Sequence, residues 1–277
     1  MSDDLDILER LIGFETLNSA SNLHMIDFCQ DLLTTCGFRV KRLRDPIEAK
    51  AGLFAEIGPA GPGGILLSAH SDVVPVAGQA WTRPPFRLTR DGAWLYGRGT
   101  TDMKGFLAQM LALAQKARGA QLSAPLKLLI SYDEEIGCVG LARMRARLAD
   151  LIGQPRLAIV GEPTEMQVGL AHKGKRAYLA RVPGQAGHSA AAPNIVSALQ
   201  VGVDFVTALR ALQEDLRQTG ARDPAFDVPY TTIHVGTFHS GSALNIVPER
   251  AELRFEFRHL AADDPDALEG RIRQAAH

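Results

Sequence analysis

Three short apolar runs, ILLSAH (65–70), PLKLLIS (125–131) and PRLAIV (155–160), constrain the fold more than any other feature of the chain. Each has strand length and is rich in Leu, Ile and Val, as expected of a strand buried in a sheet. Between the first two lies DMKGFLAQMLALAQKARGA (102–120), whose apolar residues recur at helical spacing. Strand, helix, strand is the order of parallel strands joined by a crossover, so the chain is expected to be α/β, with a mostly parallel sheet flanked by helices. Each run also finishes in polar groups: His70 and Asp72 after the first, Glu134 and Glu135 in SYDEEIG after the second, Glu162 in VGEPTE after the third. Functional groups of such sheets gather beyond the carboxyl ends of the strands, which makes these residues expected neighbours.

Elsewhere, the segment through HMIDFCQDLLTTCGF predicts two amphipathic helices stopping at Gly37, followed by strands at FRVKRLRD and AGLFAEIG and a turn at GPAGPGG. After residue 166 the character changes. MQVGLAHKGKRAYLARVPG reads as one long alternating strand, NIVSALQVGVDFVTALRALQEDL as a helix, YTTIHVGTFHS and AELRFEFRHL as strands, and DDPDALEGRIRQAAH as the start of a helix. That order is one strand short of a ferredoxin-like unit. Two domains follow, 1–166 and 167–277.

A content of 46% hydrophobic residues in 277 supports a real core. Thirty Lys and Arg against 31 Asp and Glu give a net charge of −1, without the basic excess that nucleic acid or an anionic membrane surface would call for. No apolar stretch reaches the ~18 residues of a membrane span, and the acidic, amphipathic MSDDLDILERLIGF does not read as a signal peptide. Cys29, Cys36 and Cys138 are too few and too irregular for a disulfide framework or a CxxC site and are expected to be ordinary buried thiols in a cytoplasmic protein.

Taken singly, each polar strand end has a plain structural reading. A histidine there is commonly a hydrogen-bonded group of the frame, paired glutamates are commonly solvated surface, and Asp102 before MKGFLA could cap a helix. Together they converge one imidazole and several carboxylates on one place. Carboxylates so close raise one another's pKa unless protons are shared or a cation sits among them. Imidazole with carboxylate oxygen and no thiolate suits zinc, cobalt or manganese, and Asp102 could bridge two ions. Asp72, two residues past His70, is placed to accept the other ring N–H and fix the tautomer.

In this order, SAHSDVVP, GRGTTDMKG, YDEEIG, VGEPT and GQAGHSA resemble the dinuclear zinc aminoacylase and peptidase family, which includes acetylornithine deacetylases, succinyl-diaminopimelate desuccinylases and carboxypeptidases. The resemblance implies a zinc-peptidase-like metal-binding catalytic domain and a smaller ferredoxin-like α+β lid and dimerisation domain. It implies that His70 and Glu162 ligate one zinc, that Asp102 bridges, that Glu135 ligates a second zinc, and that Glu134 is the general base on the attacking water. His188 of GQAGHSA would stabilise the oxyanion, commonly from the partner subunit. SGSALNIVPERAELRFEFRHL resembles the family's substrate-binding stretch and suggests Asn245 and Arg258, the latter suited to a bidentate grip on a carboxylate. Taken alone, His188 reads as a surface or helix-start histidine and Arg258 as half of an exposed ion pair. Within the family, SDVVPVAGQAWTRPPF, LYGRGTTDMKGFLA and LAHKGKRAYLARVPG are most similar to acetylornithine deacetylases, which implies hydrolysis of N2-acetyl-L-ornithine in arginine biosynthesis. A desuccinylase or another N-acyl amino acid hydrolase is the neighbouring alternative.

Members of the family ordinarily continue further, return to the first domain and supply another histidine to the second zinc, whereas this chain stops at His277. The expectation is a truncated member with an uncovered sheet edge, a weak second metal site and little activity, or a chain that serves only in self-association. His277 itself, after a helix of the small domain, is not counted as that ligand.

Overall fold

The computed structural model describes residues 3–276; Met1, Ser2 and His277, and with them the first residues of the acidic N-terminal segment, lie outside the description. The chain divides into two compact units, Met1–Val168 and Gly169–His277. No helix among the described residues is long and apolar enough to cross a membrane.

The first unit runs α1 (Asp3–Ile12), α2 (Leu23–Thr35), β1 (Arg39–Arg44), β2 (Ala51–Ile57), β3 (Ile65–His70), β4 (Thr89–Asp91), β5 (Trp94–Tyr96), α3 (Lys104–Ala117), β6 (Leu126–Ser131), α4 (Val139–Ile152) and β7 (Leu157–Val160). Its sheet has the order β1-β2-β6-β3-β7. β3 pairs in parallel with both β6 and β7, whereas β1–β2 and β2–β6 are antiparallel. The sheet is therefore mixed where a mostly parallel one was expected. The six residues between β1 and β2 are too few for a crossover and allow only an antiparallel neighbour. Strand alternation sorts the core into two layers. Leu53, Ala55, Leu67, Ala69, Leu128 and Ile130 face Ile7, Leu11, Met25, Leu33, Leu107 and Leu111 of α1, α2 and α3. Phe54, Leu66 and Leu129 face Met144 and Leu148 of α4 on the other side. Each fully buried aliphatic side chain contributes about 1.5–3 kcal/mol, so the central strands β2, β6 and β3 are held from both faces. β7, at the edge, is exposed along its length.

Two elements of this unit had no counterpart in the sequence reading. The β4–β5 hairpin turns at Gly92–Ala93, between the paired Asp91 and Trp94, with Gly92 at φ +59, as a glycine at the first position of a two-residue turn favours. Helix α4 buries Gly140, Met144 and Leu148.

The second unit comprises β8 (Gly174–Pro183), β9 (Gly187–His188), a short 3-10 helix (Ser189–Asn194), α5 (Ala198–Thr219), β10 (Thr232–Ser240), β11 (Ile246–Val247), β12 (Arg250–His259) and α6 (Pro265–Ala275). β10, β12 and β8 form an antiparallel sheet in that order, and β9 pairs with β11. Leu253, Phe255 and Phe257 of β12 alternate onto Leu209, Leu212 and Leu216 of α5 and Leu268 and Ile272 of α6. The strand-helix-strand-strand-helix order is as read from the sequence. The long strand predicted from residue 166 begins only at Gly174: Glu165 and Met166 take positive φ, and Met166, Val168 and Leu170 are exposed, so this stretch has no sheet to join. Among the cysteines, Cys29 and Cys36 are buried but Cys138 is exposed, because it sits in a left-handed turn at the N-terminus of α4.

Candidate metal centre

The parallel strands β6, β3 and β7 deliver their carboxyl ends to one side of the sheet. His70 is the last residue of β3 and lies opposite Ser131, the last of β6. The β3–β7 register aligns Ser68 with Val160, so Glu162 follows opposite His70, and the ladder continues through a bond from Gly161 N–H to the Ser68 carbonyl. Asp102 comes from the turn before α3, whose N-cap is Met103 rather than Asp102.

His70 is almost wholly buried. Its Nδ1 lies 2.9 Å from the Asp72 carbonyl oxygen, an obligate acceptor, so Nδ1 carries a proton and Nε2 faces the carboxylates. The carboxylate of Asp72 stands farther from Nδ1, at 3.5 Å, so the carbonyl rather than the side chain is the nearer group that fixes the ring. Nε2 is 2.9 Å from Asp102 Oδ1, 3.9 Å from Glu162 Oε1 and 4.0 Å from Glu134 Oε2. Burial opposes the charged imidazole, yet bonding to Asp102 and Asp72 and the charge of Glu162 outweigh it and push its pKa up to about 10. Burial, then the charge of Asp102, raises Glu135 to about 7. Burial also raises Glu162, with Asp102, Glu134 and Asp72 adding to the rise.

Asp72 does something the sequence did not reveal. Its Oδ1 accepts the backbone N–H of Glu134 and its Oδ2 that of Glu135, both at 3.1 Å, while Asn18 Nδ2 donates to Oδ2 at 2.8 Å. Asp72 therefore sets the position of both glutamates. The turn that carries them is tight: Asp133 takes φ 55, and the N–H groups of Gly137 and Cys138 donate to the Glu134 carbonyl. Cys138 Sγ lies 3.6 Å from Glu134 Oε1. Lys104 of the DMKG motif is fully buried and donates to the carbonyls of Leu11 and Phe14, tying the end of α1 to the start of α3. Asn18 and Lys104 were missed, and only the position of a lysine at the head of a largely apolar helix could have marked the second.

One ligand atom each from His70, Asp102 and Glu162 lie within 4.8 Å of one another, the one such group among the described residues. An imidazole Nε2 with its opposite nitrogen anchored, facing two partly exposed carboxylates, is a donor set that fits a divalent cation of zinc type. Glu135, expected to hold a second ion, is not in this group.

In the second unit, the β9–β11 pairing sets His188 opposite Ile246, and Ser189 N–H donates to the Asn245 carbonyl, so His188 and Asn245 are brought together. His188 Nδ1 accepts from Ala190 N–H and caps the 3-10 helix. Arg258 is not with them: it lies eight residues beyond Arg250 along β12, roughly 26 Å at ~3.3 Å per residue, and its Nε donates to Glu256 at 2.8 Å.

Residues 66–276 match the peptidase family M20/M25/M40. The acetylornithine deacetylase of Shigella sonnei (strain Ss046) is 36% identical over 256 residues, a match spanning 92% of this chain and 66% of that protein, so the chain spans just under two thirds of that relative's length. Among solved structures, an M20 family metallo-carboxypeptidase from Sulfolobus solfataricus superposes with a TM-score of 0.79 at 19% identity, covering 99% of this chain and 75% of that one. The dipeptidase Dug1p from Saccharomyces cerevisiae gives 0.73 at 17% identity, covering 99% and 72%. At these identities the two structures show the shared fold.

Proposed function

The chain belongs to the peptidase family M20/M25/M40, and from that premise we propose that it is a metal-dependent amide hydrolase that converts N2-acetyl-L-ornithine and water to L-ornithine and acetate. The observation that carries this reading is the convergence of His70, Asp102 and Glu162 beside Glu134, with its carboxylate 4.0 Å from His70 Nε2. The choice of acyl amino acid is supported by the 36% identity to an acetylornithine deacetylase.

His70, Asp102 and Glu162 would hold the cation, with Glu135 and the bridging Asp102 holding a second; bound there, such an ion polarises a carbonyl and acidifies water. Glu134 takes the proton of the attacking water and returns it to the leaving amine. Its partly exposed carboxylate can reach both water and substrate, while its backbone is pinned by Asp72. Asp72, through its carbonyl, keeps Nδ1 of His70 protonated and directs Nε2 toward the carboxylates. To His188 we assign stabilisation of the oxyanion and to Asn245 a contact with substrate, following the family resemblance; Arg258, remote from that pair along β12, would meet the same substrate only where a second copy of the chain supplies one side of the site. Zinc as the native ion with cobalt as substitute, a homodimer formed through the second unit, and action in cytoplasmic arginine biosynthesis belong to the same reading.

A substrate panel tests it. Zinc- or cobalt-supplemented protein is offered N-acetyl-L-ornithine, N-succinyl-diaminopimelate and a dipeptide, and kcat/KM is compared. The deacetylase reading requires the acetyl substrate to lead. Preference for the succinyl compound would reassign the substrate, and no turnover of any by folded, metal-loaded protein would favour a chain that acts only by association.

A further inference from the structure

Lys50 precedes β2, and its side chain is only 5% exposed. Its ammonium donates to Asp133 Oδ1 and Oδ2 at 2.7 and 2.8 Å and to the Asn18 carbonyl at 2.6 Å, and stands 3.0 Å from Glu48 Oε2. Asp133, whose side chain is 1% exposed, is the residue before Glu134. The same Asn18 whose carbonyl meets Lys50 uses its side-chain amide on Asp72, and Asp72 accepts the N–H groups of Glu134 and Glu135. The contacts close a ring: Lys50, Asp133, the Glu134 backbone, Asp72, Asn18, and back to Lys50.

We propose, on the hydrolase reading above, that Lys50 and Asn18 are positioning residues that hold the Glu134–Glu135 turn from both sides through Asp133 and Asp72. Neither touches the reacting atoms. Replacing a buried ion pair by apolar groups is often neutral for stability, so its presence directly behind the proton-transferring residue is better explained by geometry. Misplacement of a reacting group by about 1 Å can lower a rate by ~100-fold, and partners behind a metal site commonly account for ~10–100-fold.

The test uses the 277-residue wild-type chain, Lys50→Met and Asn18→Ala, assayed zinc-loaded on N-acetyl-L-ornithine and, separately, by amide hydrogen exchange without substrate. The expected result is a kcat lower by about 10–100-fold in each variant with KM within about twofold. The peptide carrying Glu134 and Glu135 should exchange at least about tenfold faster while the β3 peptide keeps its wild-type rate. Wild-type exchange at the glutamate turn, faster exchange spread equally over β3, or a change in KM without one in kcat would each overturn the proposal. Should Lys50→Met fail to fold, Lys50→Arg, which keeps a cation beside Asp133, tests that side of the turn, and Asn18→Ala, at a half-buried residue whose backbone carbonyl still meets Lys50, tests the Asp72 side. If wild-type protein hydrolyses no amide, the deacetylase reading falls, and the exchange comparison still decides whether Lys50 and Asn18 hold the turn.

Discussion

His70 Nε2 lies 2.9 Å from Asp102 Oδ1, although 32 residues separate the two in the chain. With Glu162 they form a donor set whose members come from the end of β3, the turn before α3 and the end of β7. No one element could supply it, so the site exists only when the parallel part of the sheet is assembled.

His70→Ala and Asp102→Asn should each weaken zinc binding by more than the ~10–100-fold that follows loss of a partner behind a ligand. Calorimetric titration of the metal-free protein with zinc measures this. Zinc should also stabilise the wild-type protein by about 2.7 kcal/mol at a hundred times the dissociation constant, read as a higher urea midpoint, and chelator should reverse the gain.

Asp45 supplies a pH dependence. Its buried carboxylate is disfavoured by burial, but the Tyr132 hydroxyl at 2.6 Å, the N–H groups of Glu48 and Ile47, and Arg143 at 2.9 Å outweigh that and hold it well below the ordinary carboxylate range. A depressed folded pKa contributes stability that is fully present above the unfolded value of about 3.9 and is lost as pH falls below it toward the folded value. Urea midpoints between about pH 6 and about pH 2 should therefore fall steeply for the wild-type protein. Asp45→Asn should be less stable at neutral pH and show a flatter acid limb.

Gly140, at the start of α4, leaves no room for a methyl group: an added Cβ would lie 2.1 Å from the Tyr132 carbonyl oxygen and 2.7 Å from its ring. Gly140→Ala should cost about 1–3 kcal/mol through this overpacking, read as a lower urea midpoint. Because the displaced backbone leads directly into Asp133 and Glu134, kcat should fall as well.

Much of the first unit was legible because its signals are local. A strand buried on both faces shows as an apolar run, and a histidine or acid at its end stands out against it, which is how His70, Asp72, Glu134 and Glu135 could be named together; β7, before Glu162, carries the same apolar run although it is exposed at the sheet edge. What stayed hidden depends on contacts distant in sequence. Asn18 meets Asp72 across 54 residues and Lys50 meets Asp133 across 83, and neither residue type nor spacing marks those pairings. The direction of β2 was likewise invisible in its composition and followed from the short connection to β1. The strand expected from residue 166 shows the converse: alternation alone cannot make a strand where the backbone turns and no neighbour is present.

The most direct measurement is hydrolysis of N-acetyl-L-ornithine by zinc-supplemented wild-type protein and by Glu134→Ala purified alongside it, with zinc content determined for both. Turnover by the wild-type protein, reduced by about 100-fold or more in the variant while zinc stays bound, is the predicted result for a general base beside a metal centre. Equal turnover in the two proteins, or none in a folded, zinc-loaded wild-type protein, would contradict it.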